Sequence, residues 1–303
     1  MKLLHAFTFI IFSSSAPLAQ TASAPPEVDG SLAVTGSLPK VLREASGLEI
    51  TYSGLLWTHN DDRFPILYGL NSSGSIERVI HLNHINKGWE DLTKDERGNI
   101  YIGAFGNNMN NRKDLSILKV PDPETLKADV INAEVIEFSY PDQRDFPPAD
   151  GNKNFDADAM VALRDSLFIF TKNRTEPFTG YSKVYRLPST SGRHEAVLYD
   201  SIYLGDGGMM RNSVTSADIS PDGKRLALLS HDSIWLISGF GNGRFSQGAV
   251  IKINLGNFSH KTGLCFASDT MIYLVDELEL GFLGGKIYSL DLKSINPPST
   301  PGN

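Results

Sequence analysis

Cysteine is nearly missing from this chain: there is one, Cys265, in 303 residues. A single cysteine makes no internal disulfide framework. It sits in the apolar run Leu264-Cys265-Phe266-Ala267, where a small buried hydrophobe is expected rather than a nucleophile. Basic blocks are missing as well. The formal net charge is −7, which argues against a binder of nucleic-acid phosphates, whose footprint is usually basic. No Gly-x-Ser-x-Gly elbow, P-loop or Ser-His-Asp order is visible, which disfavours serine nucleophile chemistry and ATP use. His59 and His231 lie far apart in sequence and neither sits in a His-x-x-x-His pattern, so no local zinc motif exists. No apolar run reaches transmembrane length, so no stable membrane insertion is expected.

What the N-terminus does have is the layout of a secretory signal. Lys2 supplies a positive start, Leu3 to Phe12 an apolar stretch, and Ser13 to Ala19 a small-residue region, with cleavage expected near Ala19. Residues 1–20 therefore read as a signal peptide and the protein as secreted or periplasmic. Residues 21–31, rich in Ala, Pro, Ser and Gly, read as a flexible lead-in. Residues 32–294 read as one domain and 295–303 as a flexible tail.

That domain repeats a β-rich unit at intervals of roughly 45 to 65 residues, the spacing of four-stranded propeller blades with loop insertions. Five openings mix carboxylates or hydroxyls with small residues: Glu44-Ala45-Ser46-Gly47, Trp89-Glu90-Asp91-Leu92, Asp156-Ala157-Asp158-Ala159, Thr215-Ser216-Ala217-Asp218 and Lys261-Thr262-Gly263. Second strands follow at 55–58, 100–104, 167–171, 225–230 and 271–275, and third strands at 66–70, 115–120, 183–187, 233–237 and 286–290. Turns such as Pro221-Asp222-Gly223-Lys224 suit tight hairpins. The expectation is an all-β, five-bladed β-propeller, six blades being the alternative count. The segment Leu32–Leu38 is expected to complete the last blade and so remove an exposed edge. The longest insertions surround Pro141–Asn154 and Gly205–Arg211, and residues 125–133 allow at most a turn or two of helix.

In a propeller blade the first strand lines the channel and the second runs antiparallel to it. The start of one and the end of the other emerge on the same face. Polar residues gather at those points: Ser46, Glu90, Asp91, Asp156, Asp158 and Asp218 at first-strand starts, and His59, Asp61, Arg63, Asn107, Lys172, Asn173, Arg174, His231, Asp276 and Glu277 at second-strand ends. Asp156 and Asp158, two apart on a strand, are expected to share a face. An oxygen-rich ring suits a hard cation, so Ser46, Glu90 and Asp158 are candidate calcium ligands, with a carbonyl or hydroxyl near Ser216 and a backbone group near Gly263. Arg63, Lys172 and Arg174 beside those carboxylates suit an anionic substrate.

In motif order the chain resembles a family of bacterial exported β-propellers. The residues that carry the likeness are Gly88-Trp89-Glu90-Asp91-Leu92, Tyr101-Ile102-Gly103-Ala104-Phe105-Gly106-Asn107-Asn108, Tyr140-Pro141-Asp142 with Asp156-Ala157-Asp158-Ala159-Met160, and Thr215-Ser216-Ala217-Asp218-Ile219-Ser220-Pro221-Asp222-Gly223. Ala104 and Asn107 depart from the motif's aspartates, and Gly263 from a common carboxylate, so the rim is less acidic than the family pattern. More distantly the architecture is similar to phytase-like propellers and calcium-dependent nucleotidases, a likeness of fold. The expected function is binding of a small-molecule, glycan or protein ligand at the polar rim by a monomer. The alternative is a calcium-assisted hydrolase or lyase acting on a phosphoester or acidic sugar, with Glu90 or Asp158 as base or metal ligand and Lys172 or Arg174 holding the anion.

Overall fold

The computed structural model describes residues 24–241 and 244–295. The expected signal peptide lies outside the described residues, as does the tail beyond Ile295. Five four-stranded units form a ring, each with its first strand innermost. The innermost strands of blades 1 to 5 are Ala45–Ile50, Leu92–Lys94, Asp156–Leu163, Ser216–Ile219 and Lys261–Ser268. Several expected strands appear residue for residue, among them Ile66–Leu70, Ile100–Ala104 and Leu115–Val120.

Local chemistry explains the hairpins. In blade 4, Asp222 Oδ1 accepts from Ser220 Oγ at 2.7 Å and from the Lys224 amide at 3.1 Å. In blade 2, Asp95 Oδ1 takes the amides of Arg97 and Asn99, each at 2.9 Å. Short polar side chains that bond their own backbone two residues on are what fix such turns.

Because blades stack face to face, strands are apolar on both sides, as in Leu226-Ala227-Leu228-Leu229, all fully buried. The ring has five apolar cores, one between each pair of neighbouring blades. Trp57 and Trp89 anchor the core between blades 1 and 2, and Phe170 with Trp235 that between blades 3 and 4. Cys265 is buried between blades 5 and 1.

Ala33–Ser37 closes blade 5 by pairing antiparallel with Lys286–Asp291, as the sequence predicts. The lead-in requires a correction. Glu27–Asp29 is a strand, pairing parallel with Lys252–Asn254 on the outer edge of blade 4. Blades 1 and 2 gain similar edge strands, Val130–Ile131 and Gly192–Glu195. Covering an outer edge removes a row of unpaired backbone groups. The stretch 125–133 follows a turn at Asp122–Thr125 and holds that short strand. The insertion near Gly205 carries one helical turn, Met209–Asn212.

Candidate ligand site at the axial mouth

Glu90 and Asp91 are neighbours in extended chain, and they go opposite ways. Asp91 is fully buried in the channel wall. Its carboxylate accepts from Ser216 Oγ at 2.8 Å, from the Met160 amide at 2.9 Å and from the Ala217 amide at 3.2 Å. One side chain of blade 2 thus ties blades 3 and 4. The pattern continues at two-residue steps. Thr93 Oγ1 takes the Ala162 amide at 2.9 Å, Ser216 Oγ the Leu264 amide at 3.0 Å, and Asp218 the Phe266 amide at 2.7 Å. An innermost strand has no partner on its channel side, and these side chains satisfy the amides it exposes there. Asp91 and Asp218, expected at the rim for a ligand, are therefore wall residues whose acceptors are engaged.

Glu90 goes to the mouth. Its carboxylate lies against the Cα of Gly106, where a Cβ would stand 1.7 Å from Glu90 Oε1. Any larger residue at 106 would push the Glu90 carboxylate out of this position. Around Glu90 lie Asp158, Asp61 and Asp156 and the cation Lys172; burial first, then the three carboxylates, push its carboxyl well above its ordinary range. Asp61 is driven up to about 7 by burial and by Asp62, Asp158, Glu277 and Glu44. Carboxylates from blades 1, 2, 3 and 5 thus crowd one mouth.

Lys172 is the counter-charge. Its Nζ sits on the Asp158 carboxylate, and both side chains are largely enclosed. Burial alone would lower the lysine; Asp158, Asp156 and Glu90 outweigh it and hold it charged. Burial pushes Asp158 up, against the pull of Lys172. Arg174 Nε bonds Asp156 Oδ2 at 2.5 Å, and its other arm meets Asn108. Asp156 Oδ1 also takes the Asn107 amide at 2.7 Å. The expected shared face of Asp156 and Asp158 is interrupted. A register shift between Ala157 and Ala159 makes Asp158 the extra residue of a β-bulge. Bulges re-aim side chains in this way.

A proton balance follows. A carboxyl raised in the folded state contributes stability below its ordinary value, lost as pH rises through its folded value. For Asp61 the window runs from about 4 to about 7. Asp61→Asn, neutral at every pH, is expected to raise the melting temperature by several degrees at pH 8 and to leave it unchanged at pH 4. Calorimetric scans at the two pH values check this, and equal shifts at both would contradict it.

The other expected rim residues have structural partners. His59 is fully buried, edge-on to Trp89 at 5.4 Å, and burial lowers it to about 4. His231 is lowered to about 3 by burial and by His260, Lys172 and Lys261, and its ring lies tilted against that of His260 at 4.9 Å. Both are neutral at ordinary pH. Asn107 Oδ1 holds the amides of Asn111 and Arg112, Asn173 bonds Thr179 and Tyr181, and Asp276 takes the Tyr288 hydroxyl and the Lys286 amide. Arg63 is exposed and reaches Glu44 at 3.3 Å. Glu277 lies 3.3 Å from His260 Nδ1, which it holds above its ordinary value.

Two residues of the mouth's surroundings were not singled out from sequence. Lys261 is fully buried, its ammonium donating to His231 O, Asn257 O, Asn257 Oδ1 and Ser259 Oγ at 2.9–3.1 Å. A lysine opening an innermost strand was the available signal. His260 has no such signal beyond its position one residue earlier. Gly263 marks tight packing: a Cβ there would meet the Gly47 backbone at 2.9 Å, leaving no room for a carboxylate.

The calcium set does not fit as arranged. Ser46 Oγ donates to the Glu90 carbonyl at 2.6 Å, and Lys172 occupies the Asp158 carboxylate. Among the described residues, no group of three or more His, Cys, Asp or Glu is placed to hold a metal ion.

No protein-family model matches the chain, and no curated protein matches it. Solved structures do resemble it. A PQQ-bound aldose sugar dehydrogenase from Streptomyces coelicolor is 12% identical, with a TM-score of 0.48, covering 90% of this chain and 100% of that one. A gluconolactonase from Xanthomonas campestris is 10% identical, with a TM-score of 0.44, covering 82% and 71%. Regucalcin from Agrobacterium tumefaciens, described as a calcium-binding protein, is 14% identical, with a TM-score of 0.43, covering 89% and 95%. Likenesses this loose carry no statement about activity; the five-bladed ring rests on the chain's own strand pairing.

Proposed function

We propose that the chain is a binding propeller whose axial mouth takes a ligand with a cationic or hydrogen-bond-donating head. The observation that carries this is the charge balance of the mouth. Asp61, Glu90, Asp158, Asp156 and Glu277 converge there, while Lys172 and Arg174 are already held by Asp158 and Asp156. An anion entering would meet the unpaired carboxyls of Asp61 and Glu90, and the mouth's cations among the described residues, Lys172 and Arg174, are already paired, so the phosphoester reading loses its support. Burial and the neighbouring carboxylates together raise Asp61 and Glu90, and a cation offsets the carboxylate part. An exported protein with this site remains the expectation of the N-terminal sequence.

Glu90→Gln tests the reading. It keeps the size and one acceptor oxygen but cannot ionise, so the charge that a bound cation would draw out is gone while folding is expected to be preserved. N-acetyl-lysine amide, glucose and glucose 6-phosphate are titrated by calorimetry, with calcium chloride as a fourth arm. The expected result is binding of the lysine compound, weakened at least 10-fold in Glu90→Gln, about 1.4 kcal/mol. Tightest binding of the phosphoester would overturn it, and so would calcium binding that Glu90→Gln abolishes.

A further inference from the structure

The acidic mouth is surrounded by exposed apolar side chains, and topology puts them on one face. The loops joining second to third strands, and those joining one blade to the next, all emerge where the innermost strands begin. Phe64, Met109 and Phe282 stand on the second-to-third-strand loops of blades 1, 2 and 5, and Ile85, Met210 and Phe258 on the junctions from blade 1 to 2, 3 to 4 and 4 to 5. Ile85 is 77% exposed and Phe282 is 75% exposed. By contrast, the hairpins joining first to second strands on the opposite face expose one large apolar residue, Tyr52. Val34, Ile76, Val130, Val197 and Leu198 are also exposed, scattered on outer and edge strands. Singly exposed apolar residues are ordinary; it is the concentration around the mouth that marks a contact surface.

The blade 5 loop shows how such residues are displayed. Leu278–Glu279 pairs antiparallel with Leu283–Gly284, making a small hairpin outside the main sheets. Leu280, at φ 51°, and Gly281, at φ 79°, form its tip. Leu280, 81% exposed, and Phe282 therefore project from a bonded hairpin. Its base adjoins the mouth: Glu277, beside His260, is one of the carboxylates acting on Asp61. Met109, Met209 and Met210 add unbranched, adaptable contacts on the other side of the ring.

Resting on the cation-accepting mouth, we infer that this face docks a protein segment that places one lysine or arginine side chain in the mouth and lays apolar flanks on the surrounding loops. Charge complementarity selects this occupant. Surplus carboxylates at the centre suit a basic side chain, and the same charge repels an anionic lipid surface. An apolar rim around a polar centre also matches what a short segment offers: one charged anchor between hydrophobic neighbours.

The probes are a nine-residue peptide with a central lysine between leucine and phenylalanine flanks, the same peptide with central glutamate, and N-acetyl-lysine amide. Affinity is read by fluorescence anisotropy or calorimetry on the full chain. Leu280→Ser/Phe282→Ser changes two exposed side chains and is expected to leave the melting temperature unchanged. The lysine peptide is expected to bind at least 10-fold more tightly than N-acetyl-lysine amide and than the glutamate peptide. The double variant should lose at least 10-fold for the peptide and nothing for the small amide. If the amide binds but the peptide binds no better, or the double variant is indifferent, docking is refuted while the mouth stands. If neither lysine compound binds, both fail. Stronger retention by vesicles of anionic lipid, lost in the double variant, overturns the protein segment in favour of a membrane surface.

Discussion

Replacing Asp91 by alanine is expected to lower the melting temperature by about 10 °C. The change strips the partner from the Ser216 hydroxyl and from the Met160 and Ala217 amides, all inside the channel wall. Each buried donor left unmatched costs about 1–3 kcal/mol. Some of that is offset because the variant no longer buries a carboxylate, leaving about 3–5 kcal/mol in total. At this chain length one kcal/mol moves the midpoint by roughly 2–4 °C. Ser216→Ala provides the comparison: it removes one donor to Asp91 and one acceptor for the Leu264 amide, so its loss should be smaller. Both are checked by calorimetric melting at neutral pH. A loss below about 1 kcal/mol for Asp91→Ala would show that the wall does not depend on this lateral bonding.

Lys172→Met should be as damaging, and its damage should depend on pH. Methionine keeps most of the length of lysine but leaves Asp158 without its counter-charge, beside Glu90 and Asp156. Removing one member of an enclosed ion pair costs about 3–5 kcal/mol. The sign follows from the carboxyls. Asp158 and Glu90 are already raised, and without the lysine they rise further. They are protonated and harmless in acid, so the deficit grows as pH climbs from the ordinary carboxylate range through their folded values. Urea unfolding is expected to show the full deficit at pH 8 and little at pH 4.5. Asp158→Asn in the same chain should restore most of the loss at pH 8. A deficit that is flat with pH would mean that packing of the lysine stem, rather than its charge, is what matters.

Strand positions were the most legible part of the fold. Short runs such as Leu115–Val120, rich in aliphatic side chains and bounded by turn residues, admit little else. Ring closure by Ala33–Ser37 followed from an incomplete last blade. The parallel edge strands are not legible, because segments of two to four residues such as Glu27-Val28-Asp29 and Val130-Ile131 are too short to carry a periodicity. They form because a neighbouring edge is waiting for them. At the site, the sequence located the mouth but not each side chain's direction. Glu90 and Asp91 are adjacent carboxylates at one strand start, yet alternation in extended chain sends one to the mouth and the other into the wall. The bulge at Asp158 was invisible for a different reason: register belongs to two strands at once, and no single segment states it. The cations were found, but not that Asp158 and Asp156 already hold them.

The closing strand also sets the order in which the molecule can be completed during synthesis. Ala33 pairs with Ser289, so one of the first strands to be synthesised bonds to the last. At about 5–20 residues per second, the interval between them is on the order of 10–50 seconds. Through that interval Ala33–Ser37 has no sheet to join, and Glu27–Asp29 waits nearly as long for Lys252–Asn254. Blades 1 to 3 can assemble one after another as they emerge, but the ring itself is decided only at release.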